Sequence, residues 1–279
     1  MKNYKRYSPP PPLSRYIDCY WSLESDEAVS DEIVQRYLPL GCQELLVNLG
    51  SAWQAVEKQI IDLPQFVISG QFTRERSFKT NGEMRIFSIS FKPYGWSLLT
   101  GYSAAAFSES VTDVMLLKGV IKELPLKLFE AKSWQERISI ANRELLKLLG
   151  QKNPFLPDIP IEEIIKSLHV SRGSVNVHEM AKDYYFSLSK LERNFKHLVG
   201  LTIKQYAKIV RLQQVLKLYP EAGNFTDHIF DLGYFDQAHF SKEFKLFTGS
   251  APLKYFHNPK NVVEYYLLNE LDRLDSFWR

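Results

Sequence analysis

Small and cationic side chains recur at helical spacing in two segments of the C-terminal third of the sequence. In each segment one small residue precedes two cations: Ser189, Arg193 and Lys196 in the first, and Ala238, Lys242 and Lys245 in the second. Arginine and lysine on a helix face donate hydrogen bonds to guanine acceptors and to phosphate oxygens. This pattern indicates recognition of nucleic acid and not covalent catalysis.

Residues that would support catalysis or metal binding are sparse. The two cysteines, Cys19 and Cys42, have neither metal-ligand spacing nor the density of a disulfide scaffold, which indicates a reducing compartment. All six histidines lie from His169 onward, and no pair has the spacing of a zinc-binding helix. We therefore expect no catalytic residue, no metal site and no cofactor.

The two cationic segments belong to a longer internal repeat with a shift of 49 residues. Residues 185–206 align with 234–255 at six identical positions out of 22: Tyr185/Tyr234, Phe186/Phe235, Phe195/Phe244, Lys196/Lys245, Gly200/Gly249 and Tyr206/Tyr255. At 100° per residue, Phe240, Phe244 and Phe247 share one helix face, opposite the cations. Leu191, Phe195 and Leu198 form the matching stripe in the first copy. Each copy therefore predicts a helix anchored by its apolar face.

A short helix, a turn and an outward-facing helix form a helix-turn-helix, whose second helix lies in the major groove of DNA. The groove is about 12 Å wide, so small residues at the helix start permit close approach while Arg193 or Lys242 reaches guanine. Lys196 and Lys245 suit phosphates. Two such modules on a stiff helix over 203–218 can enter successive grooves about 34 Å apart.

Other interpretations of the same residues remain open. A cationic helix face is often only a solvated surface over a helical core, although the copying of anchor and cation together argues against this reading. A second alternative is an enzyme of the DNA-repair type with a fused DNA-binding domain, which needs an activated cysteine or a zinc cluster. A third is a protein-interaction module without affinity for DNA.

The flanking sequence predicts a two-domain chain. Short strands rich in branched and aromatic residues fill 33–94, with the strongest hairpin signal at Asn81-Gly82, and helical spacing dominates 95–150. We predict an α+β multidomain fold, in which a β-rich N-terminal domain precedes an all-α C-terminal domain with two helix-turn-helix modules joined by a long helix. The expected boundaries are a β-rich sensing or dimerisation domain at 1–111, a helical connector at 112–150, a linker at 151–160, the paired module at 161–258 and an amphipathic tail at 259–279.

Residues 160–258 resemble the AraC/XylS family of bacterial transcription regulators. The most specific part is DHIFDLGYFDQAHFSKEFKLFTGSAPLKY (227–255), which is similar to the family signature. The resemblance implies a paired helix-turn-helix domain that binds double-stranded promoter DNA, with base-reading positions at Ser189, Lys190, Arg193, Gln237, Ala238, His239 and Lys242. The sequence departs from the family pattern at Phe230, at Tyr184, which aligns with Gly233, and at Phe256.

Residues 8–119 are more loosely similar to the β-rich sensor domains of such regulators. Aromatic side chains there are typical of a core, with an effector pocket as the alternative: Tyr20, Trp21, Trp53, Phe66, Phe72, Phe87 and Trp96. Arg74 and Arg76 suit either a solvated edge or a grip on an anion.

Partners and location follow from the same interpretation. We expect promoter DNA, a small-molecule effector of unknown identity, RNA polymerase and a second copy of the chain as partners, and an activator in the cytoplasm of a bacterium. No apolar stretch approaches the roughly 18 residues of a membrane helix, and no signal core follows the N-terminal charges.

Overall fold

The computed structural model describes residues 2–25, 33–150, 157–218, 229–230 and 232–257. None of the helices in these ranges is long and apolar enough to cross a membrane. The expected linker 151–160 is described only from residue 157, and the expected tail 259–279 lies outside the described residues.

Two antiparallel sheets build the N-terminal region. Their strands are β1 (Lys2–Tyr7), β2 (Ile17–Ser25), β3 (Ile33–Tyr37), β4 (Gln43–Asn48), β5 (Trp53–Val56), β6 (Ile60–Asp62), β7 (Phe66–Ser69), β8 (Arg76–Thr80), β9 (Arg85–Phe91) and β10 (Val111–Asp113). The larger sheet has the order β1-β2-β9-β4-β7-β10, and the smaller has the order β3-β8-β5-β6. Strand structure thus crosses the expected domain boundary at residue 111.

The hairpin predicted at Asn81-Gly82 is wrong. β8 pairs with β3 and β5 in the smaller sheet, whereas β9 pairs with β2 and β4 in the larger one. The turn therefore carries the chain from one sheet to the other. A local turn signal reports a reversal of direction, but the partner of each strand is fixed by burial of its apolar face.

Each face of the larger sheet covers a separate apolar core. Helices α1 (Pro11–Ser14), α2 (Gly95–Thr100), α3 (Val120–Glu130) and α4 (Trp134–Gly150) accompany this sheet. Residues of α3 and α4, such as Leu128 and Leu145, pack with Leu45 and Phe87 in one core. The expected connector 112–150 is therefore a packed layer of the N-terminal region. The other face packs Trp21, Trp53 and Ile86 between the two sheets.

Helices alone build the described part of the C-terminal region. They are α5 (Ile161–Val170), α6 (Val177–Asp183), α7 (Leu188–Val199), α8 (Ile203–Leu218), α9 (Gln237–Thr248) and α10 (Pro252–His257). The predicted fold class, a β-rich N-terminal region followed by a helical C-terminal region, is confirmed. One core joins these helices to the N-terminal region, because Leu38, Tyr94 and Leu98 pack with it.

Candidate nucleic-acid interface

The helices α7 and α9 carry the two predicted cationic segments, and each is anchored as predicted. Leu191, Phe195 and Leu198 are fully buried in α7, and Phe240, Phe244 and Phe247 are buried in α9. The ring centres of Phe240 and Phe244 lie 5.6 Å apart with the ring planes tilted by 52°, so the second anchor contains an aromatic pair. The buried stripes fix which side of each helix faces outward.

The outward sides carry the predicted residues. Ser189, Arg193, Lys196, Gln237, Ala238, His239, Lys242 and Lys245 are exposed, and Lys190 is half-buried. Arg193 and Lys242 occupy equivalent places in the two helices, one turn before Lys196 and Lys245 respectively. Contact of these side chains with DNA stays a prediction.

Both helices begin and end in the same way. The Ser187 hydroxyl accepts a hydrogen bond from the Lys190 amide at 3.3 Å, and the Asp236 carboxylate accepts one from the His239 amide at 2.6 Å. Gly200 and Gly249 end the helices with φ of 88° and 69°, the left-handed conformation that glycine adopts without strain. Capping thus fixes the length of both helices at 12 residues.

The turns before the two helices differ by one residue. The left-handed position is Tyr185 (φ 59°) in the first turn and Gly233 (φ 77°) in the second. The following amides close the same loop, since Phe186 N donates to Ala181 O and Tyr234 N to Ile229 O. Tyr185, not Tyr184, is therefore the structural counterpart of Gly233. Phe235 is the extra residue of the second turn and is 85% exposed.

Two of the predicted base-reading residues contact other residues of the C-terminal region. Lys190 Nζ lies 3.9 Å from a carboxylate oxygen of Asp158 and 5.1 Å from the Phe186 ring centre. His239 accepts a weak hydrogen bond from the Phe235 amide at 3.4 Å and packs edge-on against Tyr234. These contacts orient both side chains, so they are less free than Arg193 and Lys242 to follow a base.

A buried carboxylate that sequence reasoning missed ties α9 to the connecting helix α8. The Glu243 side chain is 3% exposed, with Lys208 Nζ at 2.9 Å and Arg211 Nε at 3.6 Å from its oxygens. Arg211 also donates to the Gly233 carbonyl at 3.1 Å and lies over the Tyr234 ring. Glu243 lies about 40° from Phe247 around α9, at the edge of the apolar stripe, and an acidic residue at that edge was the signal that could have pointed to this contact.

The C-terminal ends of both helices rest on the N-terminal region. Ser97 and Ser103 hydroxyls donate to the His197 carbonyl at 3.4 and 3.3 Å, and the Ser108 hydroxyl donates to the Gly200 carbonyl. At Gly249 the Glu75 carboxylate occupies the place of a Cβ. The N-terminal region therefore holds both helix ends, and exposed Ser189 and Ala238 lie near the opposite ends.

The cysteines lack the environment of a nucleophile. Burial raises the pKa of both the Cys19 and the Cys42 thiols well above the ordinary value. A raised pKa keeps a thiol protonated and unreactive at neutral pH. No group of three or more His, Cys, Asp or Glu residues within the described ranges could hold a metal ion.

Two family matches cover separate parts of the chain. Residues 180–258 match the family described as a helix-turn-helix domain, and residues 5–113 match a domain of unknown function. The first match contains α7, α8 and α9, together with the turns before α7 and α9.

Two curated bacterial proteins share part of this sequence. The uncharacterized HTH-type transcriptional regulator YidL of Escherichia coli K12 is 37% identical over 105 residues, which is 37% of this chain and 35% of that protein. The HTH-type transcriptional activator RhaS of Escherichia fergusonii is 29% identical over 144 residues, 47% of this chain and 51% of that protein. The chain thus spans about a third to a half of the curated relatives that it matches.

Solved structures that are similar over most of the chain include ToxT. ToxT from Vibrio cholerae is 12% identical, with a TM-score of 0.44, over 91% of this chain and 97% of that one. A TM-score below 0.5 carries no argument about function.

Proposed function

Because the C-terminal part of this chain is an AraC-type helix-turn-helix domain, we propose that the protein is a sequence-specific regulator of transcription that inserts α7 and α9 into successive major grooves of promoter DNA. The observation that carries this proposal is the matched construction of the two helices. Both are anchored by a buried stripe, capped at both ends and exposed on a cationic face. Core packing alone gives no reason to repeat the exposed cations.

The residues have three roles in this proposal. Arg193 and Lys242 read guanine, because their side chains are exposed at the middle of each helix and can donate to its O6 and N7 acceptors. Lys196 and Lys245 lie one turn further along and bind phosphates, which position the protein without reading sequence. Ser189, Gln237 and Ala238 near the helix starts permit close approach to base edges, and Lys190 and His239 complete the contact surface.

The N-terminal region is the regulatory part in the same proposal. It holds the C-terminal ends of both helices, so a change in its shape reaches both DNA-binding elements. An effector, a second copy of the chain and RNA polymerase are proposed partners of the regulator, which acts as an activator in the cytoplasm.

The enzyme alternative finds less support. A DNA-repair nucleophile needs a thiolate, and burial keeps the thiols of Cys19 and Cys42 protonated. The two curated relatives are both called transcription regulators or activators. A thiol-reactivity assay on the folded protein separates the two functions, since a repair enzyme would react rapidly at neutral pH.

Selection of bound genomic fragments by the purified protein tests the proposal. We expect enrichment of a motif with two half-sites about one helical turn apart, and affinity that falls steeply with salt. A protein-interaction module would give no motif and no salt-dependent binding.

A further inference from the structure

A cavity of about 60 Å³ lies between the two sheets of the N-terminal region. Its wall is mostly apolar and includes five aromatic residues, Trp21, Tyr37, Trp53, Phe72 and Phe78. The other predicted pocket aromatics do not line it, and Tyr20, Phe66, Phe87 and Trp96 pack in the core beneath α3 and α4. Three of the seven predicted pocket aromatics therefore line the cavity, namely Trp21, Trp53 and Phe72.

One carboxylate, Glu44, lines this apolar space. It is 2% exposed, and it accepts hydrogen bonds from Trp21 Nε1 at 2.8 Å, from the Tyr37 hydroxyl at 3.0 Å and from the Ser90 hydroxyl. All three donors are neutral. Burial raises the pKa of Glu44 because its charge is removed from water, and the three hydrogen bonds offset this only in part. An ionised Glu44 is thus oriented but not neutralised.

Arg76, the one cation among the described residues of the lining, is already neutralised. Arg76 Nη1 lies 2.6 Å from a Glu57 oxygen, and Arg76 Nη2 lies 3.1 Å from a Glu109 oxygen. Its guanidinium also covers the Phe72 ring at 4.7 Å. An anionic ligand would have to displace two carboxylates, so the grip on an anion considered for Arg76 is disfavoured. The exposed Arg74 does not line the cavity.

We infer that this cavity binds a small ligand with a protonated amine on a short apolar body, and that Glu44 is the counter-ion of the amine. The aromatic walls support the same charge, because ring faces attract cations. A volume of about 60 Å³ corresponds to roughly four water-sized groups, which suits an alkylamine of a few carbons.

The cavity is connected to the second DNA-binding helix through one short segment. Phe72 and Arg76 line the cavity, and Glu75 between them occupies the space beside Gly249 at the end of α9. Glu109 orders this segment, since its carboxylate accepts from the Thr73 amide at 2.8 Å and pairs with Arg76. A ligand that moves Phe72 or Arg76 therefore also moves Glu75, which contacts the C-terminal end of α9. The resulting change in DNA binding rests on the proposed function.

Three probes of equal chain length test the ligand class: n-butylamine, 1-butanol and butyrate. Binding to the full chain is measured by Trp fluorescence and by the shift in Tm at millimolar probe. We expect n-butylamine to bind at least about tenfold more tightly than either of the others, because it alone brings a positive charge to the carboxylate of Glu44. Equal binding of the three, or no binding of n-butylamine, overturns the inference.

The variant Glu44→Gln keeps the shape of the side chain and one acceptor oxygen but removes the charge. We expect about a tenfold loss of n-butylamine affinity and a smaller loss of 1-butanol affinity. Glu163→Gln, on the exposed side of α5, is the matched control and should leave both unchanged. Unchanged n-butylamine affinity in Glu44→Gln contradicts the role of Glu44. The Tm of each variant without probe shows whether it is folded.

A separate measurement of DNA affinity with and without n-butylamine distinguishes the two proposals. Loss of the amine preference with DNA binding intact overturns the ligand inference alone. Absence of DNA binding in any condition overturns the proposed function, while the Glu44 result still stands.

Discussion

At the scale of single residues, the turns of the two helix-turn-helix modules differ although their sequences align. Tyr185 and Tyr234 are identical across the repeat, yet Tyr185 is 95% exposed and Tyr234 is 3% exposed. The extra residue in the second turn explains the difference, because Tyr234 takes the place of Phe186. Identity in a sequence alignment thus does not establish structural equivalence in a turn of variable length.

Arg193 and Lys242 should carry sequence specificity. Alanine at either position is expected to cost about 1 to 3 kcal/mol at the specific site, since a bidentate or single contact to guanine is lost. Lys196→Ala should weaken specific and random DNA alike and lower the salt slope by roughly one unit. Fluorescence anisotropy on both kinds of DNA checks this. Equal losses on both from Arg193→Ala would refute base reading by that residue.

The backbone of Tyr185 should be strained and that of Gly233 should not, because a residue with a Cβ is disfavoured at positive φ. We expect Tyr185→Gly to raise the free energy of unfolding by up to about 1 kcal/mol. Gly233→Ala should lower it by about 1 kcal/mol through strain alone, since the nearest atom to an added Cβ is 3.8 Å away. Urea unfolding measures both. A less stable Tyr185→Gly protein would show that the exposed ring makes a stabilising contact.

At the scale of elements, the positions of α8 and α9 depend on the contact of Glu243 with Lys208 and Arg211, and local pattern does not reveal these partners. Helices were predictable because their apolar spacing is local, and α7 and α9 appear where the stripes of Leu and Phe indicated. Strand partners are not local. The turn at Asn81-Gly82 joins two sheets because both faces of the larger sheet must be covered.

Glu243 should hold α9 against α8. Glu243→Gln removes the charge that faces Lys208 and Arg211, and we expect a loss of about 1 to 3 kcal/mol in unfolding free energy. Affinity for DNA should fall as α9 loses its orientation. Glu163→Gln is the control, for which a change within about 0.5 kcal/mol is expected. Full stability in Glu243→Gln would show that the aromatic anchor alone positions α9.

Glu144 on α4 should make the N-terminal region sensitive to acid. Hydrogen bonds, chiefly from Arg143 and also from Lys127 and Lys147, lower the pKa of Glu144 from 4.5 to about 2. A lowered pKa stabilises the folded protein above pH 4.5, and this contribution is lost as the pH falls towards about 2. The stability difference between wild type and Glu144→Gln should shrink over that range in urea unfolding. A constant difference would show that the hydrogen bonds matter without the charge.

At the scale of the whole molecule, the two regions share a core and the N-terminal region holds both helix ends. The sequence indicated two regions and the two helices, but the contact between them joins residues such as Ser108 and Gly200, which are distant in the chain. The cavity was equally unpredictable from the sequence, because Glu44 accepts hydrogen bonds from Trp21, Tyr37 and Ser90, which lie on three other strands. Neither feature has a local signal, since the contact depends on how the two regions pack and the cavity depends on how strands pair.

The most direct test of two helices reading one face of DNA is protection of guanine N7 from methylation, because N7 lies in the major groove. On a selected fragment, we predict two protected windows about 10 base pairs apart, with Arg193→Ala exposing guanines in one window and Lys242→Ala in the other. A single protected window, or loss of the same guanines in both variants, would contradict the account.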